Sequence, residues 1–180
     1  MQIQPKPDQA VDSLAKARAI YEKLLTEQRS AMLATVNADG WPLASYAPFA
    51  LDQAKNFYLF VSTLSQHTAN LARSGQASLM LIADEAQSLQ VFARQRLTFS
   101  CRATPLARDS EAWSGASLLY EARFGDFFQL VRDFSDFQMF RLTPEQGWLV
   151  AGFGQAYEIS GAALDQFSHR RENIKDNGGG

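Results

Sequence analysis

Between Arg96 and Ala103 the chain alternates without a slip. Leu97, Phe99 and Cys101 fall on one side, and Arg96, Thr98, Ser100 and Arg102 on the other. Successive strand residues point to opposite faces, so this run predicts a half-buried strand with one apolar face and one wet or ligand-facing side. Similar short runs surround it. Ala31–Val36 leads into Asn37-Ala38-Asp39-Gly40, a turn signal with glycine where positive φ costs little. Leu43–Leu51 and Asn56–Ser62 follow, and Pro48 within the first of these predicts an edge position or a bulge. Ala77–Ala83, Phe137–Leu142 and Trp148–Ile159 come later, the last two joined by a turn over Thr143-Pro144-Glu145-Gln146-Gly147.

Helices are fewer. Residues 8–28 carry Val11, Leu14, Ala17, Tyr21, Leu24 and Leu25 at helical spacing, with Asp8 as the expected N-cap. A short helix is expected over 65–74, ending near Gly75. The strongest helical stripe lies within 109–133, through Trp113, Ala116, Tyr120, Phe124, Phe127 and Val131. A brief connector at Gln90–Ala93, a last short helix and a polar tail, Arg170–Gly180, complete the reading. Strands and helices do not alternate as a doubly wound sheet requires. Six or seven short strands with hairpin turns predict a mainly β fold, a closed or partly open antiparallel barrel with helices tucked between. The whole chain, 1–180, is expected to form one domain with a flexible tail over 169–180.

Composition narrows the chemistry. Two histidines and one cysteine cannot make a Cys/His zinc cluster without carboxylates, so a transition metal would bring most of its own ligands, as a porphyrin does. A net charge of −2 advertises no nucleic-acid partner, and no stretch is long and apolar enough for a membrane helix. The N-terminal segment lacks the apolar run of a signal peptide, so a soluble cytoplasmic protein is expected. There is no Walker loop and no nucleophile elbow. Gly152-Phe153-Gly154-Gln155-Ala156-Tyr157 opens like a dinucleotide fingerprint, but Tyr157 stands where the third glycine belongs.

Six residues have a plain reading that any functional one must displace. Arg94, Arg96 and Arg102 put three guanidinium groups on or beside one strand, either for a phosphate or carboxylate or as scattered surface ion pairs. His67 opens a short helix just after a strand, where its neutral form is favoured; the plainer reading is a capping or surface histidine. Asp136 at a strand start reads as turn chemistry, and His169 as a solvated tail residue.

Taken together in order, several segments resemble one family. They are Arg29–Val36, Ser45-Tyr46-Ala47-Pro48-Phe49, His67-Thr68-Ala69-Asn70-Leu71, Phe92–Thr98, Asp136–Leu142, Pro144–Gly147 and Gly152–Tyr157. Over residues 10 to 170 the chain is similar to the HugZ/HutZ group of heme-utilisation proteins, within the pyridoxamine-phosphate-oxidase-like, FMN-binding split-barrel superfamily. The resemblance implies a six-stranded antiparallel split barrel and a homodimer with its ligand at the subunit interface. It implies heme as cofactor and substrate, opened oxidatively to release iron, with an electron donor that the residues do not identify.

By the same resemblance a tail histidine is the axial iron ligand and an aspartate of the partner subunit orients it. Asp136 stands in the matching context. An ungapped comparison puts Ile174 at the ligand position, which cannot bind iron, whereas His169-Arg170-Arg171 reproduces the local pattern, so the role is assigned to His169. Arg96 and His67 match pocket-lining positions, and apolar walls are expected from the late phenylalanines, most of which also serve the core and the dimer interface. Two alternatives stand beside this: an FMN-binding oxidoreductase whose phosphate meets Arg96, Thr98 and Ser62, and a heme chaperone or store that does no chemistry.

Overall fold

The computed structural model describes residues 7–170, with side chains from Asp12 onward. Helix α1 (Pro7–Glu27) contains Asp8 rather than starting after it. Then come β1 (Ser30–Val36), β2 (Pro42–Pro48), β3 (Ala50–Leu51), β4 (Phe57–Ser62), α2 (Gln66–Ser74) and β5 (Gln76–Ile82). After two single 3₁₀ turns follow β6 (Arg96–Leu106), α3 (Glu111–Phe124), α4 (Asp126–Val131), β7 (Phe137–Gly152), β8 (Gln155–Ser160) and β9 (Gln166–His169).

All strand pairs are antiparallel, in the order β2-β1-β5-β6-β7-β4-β3, with β8 added to β7 and β9 to β8. The described residues thus hold nine strands in one split-barrel-like sheet. Beyond the seven runs read in the sequence, β3 is a two-residue pairing split from β2, and β9 is an added strand. The resemblance's six strands are exceeded for the same reasons and because β8 adds to the edge of β7. β2 pairs only with β1, which is the edge setting that tolerates Pro48.

The alternation of β6 holds: Leu97, Phe99, Cys101 and Ala103 are buried. They meet Tyr21, Phe49, Phe57, Leu79 and Leu149 in the barrel core, which α1 covers with Ala17, Tyr21, Leu24 and Leu25. A second cluster forms outside the barrel, where α3 and α4 bring Trp113, Tyr120 and Phe128 onto Phe60 and Met139. Tyr120 Oη fastens it, donating to the Pro48 carbonyl at 2.8 Å and accepting from the Phe60 N–H at 2.8 Å. Of the late phenylalanines, Phe128 and Phe140 are buried, while Phe127, Phe134 and Phe153 are exposed.

Three further expectations give way. The turn at Thr143–Gly147 does not form, and β7 continues through it with Cys101 opposite Pro144 and Ser100 opposite Gln146. Glu145 is the extra residue of a β-bulge, and a bulge accommodates a proline with no N–H to give. The helical stripe over 109–133 breaks at Gly125, whose φ of 58° and ψ of −139° lie outside any helix. The expected last helix is instead β9, because pairing with β8 satisfies its backbone; the periodicity of so short a segment could not decide between the two.

Candidate functional site

Asp136 sits just ahead of β7, where the ladder pairs Phe137 with Ser62 at the end of β4. That register brings the Ser62 hydroxyl to Asp136, donating to Oδ2 at 2.8 Å, while the Thr63 N–H donates to the Asp136 carbonyl at 2.7 Å. Thr68 Oγ1 in turn donates to the Ser62 carbonyl at 2.6 Å, tying the first turn of α2 to the same corner. Among the described residues no other side chain hydrogen-bonds the Asp136 carboxylate, so Oδ1 keeps its lone pairs. This is more than turn chemistry: the carboxylate is half-buried and held in one orientation.

His67 lies in that first turn of α2 and is 8% exposed, so it is neither a cap nor a surface residue. Its Nδ1 lies 3.1 Å from Ser45 Oγ of β2, and its buried Nε2 has no hydrogen-bond partner. Burial lowers its pKa below the usual histidine value, which favours the neutral imidazole. An unpartnered buried polar atom costs free energy that a ligand's polar group recovers.

The three arginines separate. Arg94 pairs with Glu85 at 2.9 Å and Arg102 with Glu145 at 2.8 Å, which is the ion-pair reading. Arg96 gives one N–H to the Arg94 carbonyl at 3.0 Å and meets no carboxylate among the described residues. Four of its five donors are left for something else. His169 ends β9 opposite Tyr157, its ring standing edge-on to the Tyr157 ring at 5.1 Å. The imidazole is exposed and no described residue hydrogen-bonds it. Ile174 lies outside the described residues.

These residues do not gather within one protomer. Arg96 pairs with Val150 and Leu106 with Met139, so Arg96 and Asp136 stand at opposite ends of the β6–β7 ladder. The length of β6 between them is on the order of 30 Å of strand. His169 shares Arg96's end, along the row His169–Tyr157–Leu149–Leu97, but on the opposite face of the sheet from Arg96. Arg96, Thr98 and Ser62 likewise do not converge, and the Ser62 hydroxyl is already engaged by a carboxylate.

Two hydrogen-bond partners escaped sequence reasoning in these roles: Ser45, beside His67, and Ser62, which holds Asp136. The available signal was a serine at a marked place: Ser45 opens a segment that carries the family resemblance, and Ser62 closes the apolar run of β4. The face of the sheet away from the core carries a cross-strand row, Tyr46–Met32–Met80–Thr98–Trp148. Met32 is 50% and Tyr46 60% exposed.

Comparison with known proteins places this architecture. The family model for pyridoxamine 5'-phosphate oxidase matches residues 18–151. "Heme oxygenase HutZ" of Vibrio cholerae is 43% identical over 146 residues, 81% of this chain and 82% of that protein. The crystal structure of HutZ, there titled a heme storage protein, superposes with a TM-score of 0.68 at 37% identity, over 72% of this chain and 90% of that one. Campylobacter jejuni ChuZ gives a TM-score of 0.77 at 28% identity, over 87% of this chain and 63% of that one. The chain belongs to the pyridoxamine 5'-phosphate oxidase family, and within it to the HutZ group.

Proposed function

We propose that this chain binds heme as its substrate and opens the macrocycle oxidatively, with a second copy of the chain completing the site. The observation that carries the reading is the division of the site residues between the two ends of one protomer. A two-fold axis through the exposed sheet face would bring the Asp136 end of one copy against the Arg96 end of the other, which His169 would reach from the edge strand β9 rather than from that face. The row from Tyr46 to Trp148 supplies apolar surface for that contact, as dimer cores require.

In this arrangement the exposed His169 imidazole supplies a nitrogen to the iron. Asp136, fixed by Ser62, accepts the other ring N–H from the partner's His169. A carboxylate in that position sets the tautomer and raises the basicity of the ligand. Arg96 offers its free fork to a propionate carboxylate, and neutral His67 lines the pocket with its unpartnered Nε2. The redox chemistry belongs to the porphyrin iron, with dioxygen and an external electron donor. The names carried by the Vibrio relative, oxygenase and storage protein, mark the two outcomes a test must separate.

Heme titration of the purified protein and of His169→Ala tests the ligand. Loss of the histidine should move the Soret band and weaken binding at least about tenfold. An unchanged band and affinity would remove His169 from the mechanism. Incubation of the complex with ascorbate and oxygen then separates degradation from storage, because only degradation produces a biliverdin-like absorbance. The reading places the protein in the cytoplasm, in keeping with a lone, buried, unpaired cysteine at Cys101; cell fractionation checks it.

A further inference from the structure

Outside those residues, two arginines meet without an acid between them. Arg29 follows α1 and precedes β1, and Arg123 lies in the last turn of α3. Each reaches across to the other's segment: Arg29 Nη2 donates to the Arg123 carbonyl at 2.9 Å, and Arg123 Nη2 donates to the Gln28 carbonyl. Each also lies over an aromatic ring, Arg29 over Phe124 and Arg123 over Phe49, both 5.0 Å from the centroid. Neither forms a salt bridge among the described residues, and the Arg123 Nε is buried with no partner.

The plain explanation is mutual capping, since cations near helix C-termini satisfy the last carbonyls. That accounts for one of five N–H donors on each side chain and leaves two like charges side by side. Burial and the neighbouring charge of Arg29 both press the Arg123 pKa downward, the direction expected where a cation lacks its counter-charge. The two side chains line a cleft of about 510 Å³, whose other wall is apolar, from Leu51, Leu119 and Ala122. The carboxylate on the rim, Glu27, lies 3.8 Å from Lys23 Nζ rather than on either arginine.

We infer that this cleft binds a small oxyanion, a carboxylate or phosphate, in the fork of Arg29 and Arg123, with any apolar body of the ligand against Leu51, Leu119 and Ala122. The site is separate from the heme reading and stands or falls without it. Guanidinium forks bind either oxyanion by paired charge-assisted hydrogen bonds, so the ligand's apolar part decides between sources.

The test titrates the full chain with millimolar inorganic phosphate and, separately, benzoate, at ionic strength held constant with sodium chloride. The arginine Nε–Hε resonances and the melting temperature are read together. Saturable shifts of the Arg123 resonance with a rise in melting temperature are expected, weakened about tenfold in Arg29→Gln. Arg29→Gln should leave the heme titration unchanged, which shows that the variant folds. Stronger binding of benzoate identifies a carboxylate with an apolar body, and stronger binding of phosphate a phosphate ester. No saturable shift in the wild type, or equal shifts in wild type and Arg29→Gln, would overturn the site and leave capping alone.

Discussion

Burial moves two titratable groups in opposite directions, and each shift has a measurable consequence. Removing His67 from water penalises its charged form, so its folded pKa falls below the unfolded value. Below pH 6.5 the unfolded chain therefore binds a proton that the folded chain resists. Stability is then lost as pH falls from 6.5 toward the folded value, and is fully present above 6.5. Chemical denaturation between pH 7.5 and 5 should show this loss, and His67→Gln should flatten it. Burial pushes the Cys101 thiol up to about 12, with Glu145 adding to the effect. Cys101 should resist a thiol reagent in the native protein and react only on unfolding, because the thiolate is the reactive form. Neither environment was legible from neighbours in sequence. His67 is buried where α2 packs on β1 and β6, and it meets Ser45 of β2, 22 positions away in sequence. Asp136 was legible as a boundary residue, whereas its hold by Ser62, 74 positions away, exists only in the folded register.

At the scale of the element, β7 carries the tightest constraint. A Cβ added to Gly147 would lie 2.7 Å from Phe99 Cε1 and 3.1 Å from Ile159 Cβ, in a core that has no slack. Gly147→Ala should therefore cost about 1–3 kcal/mol, measured by urea denaturation, although its backbone needs no positive φ. This also explains the misread turn. Pro144 and Gly147 look like loop punctuation in sequence, yet one sits at a bulge and the other makes room for a ring. β6 was legible because its alternation is local and clean. The split of the long helix at Gly125 was not, because the apolar stripe runs on through Phe127 and Phe128 into α4.

For the whole molecule, the fold class followed from many short strands and few helices, and the family resemblance supplied the split barrel. On the dimeric reading, Met32 lies within the shared face beside Met80, so Met32→Glu should yield a monomer by light scattering. The variant's own barrel should survive, because Met32 points away from the core. Heme affinity should fall with the loss of the dimer; a dimeric Met32→Glu variant with unchanged affinity would refute this face as the interface.

The pairing of β7 also has a consequence for synthesis. One side of it carries β6, and the other carries β4 along its first half and β8 along its second. A nascent chain that has reached residue 136 holds β1, β2, β4, β5 and β6 with no strand to join β4 to β6. Until Phe137–Gly152 leaves the ribosome, two apolar strand edges stand open at once, and such edges invite pairing with other chains. Truncations ending before Phe137 should therefore aggregate on release, and chaperones should hold the emerging protein until residues 137–152 are exposed.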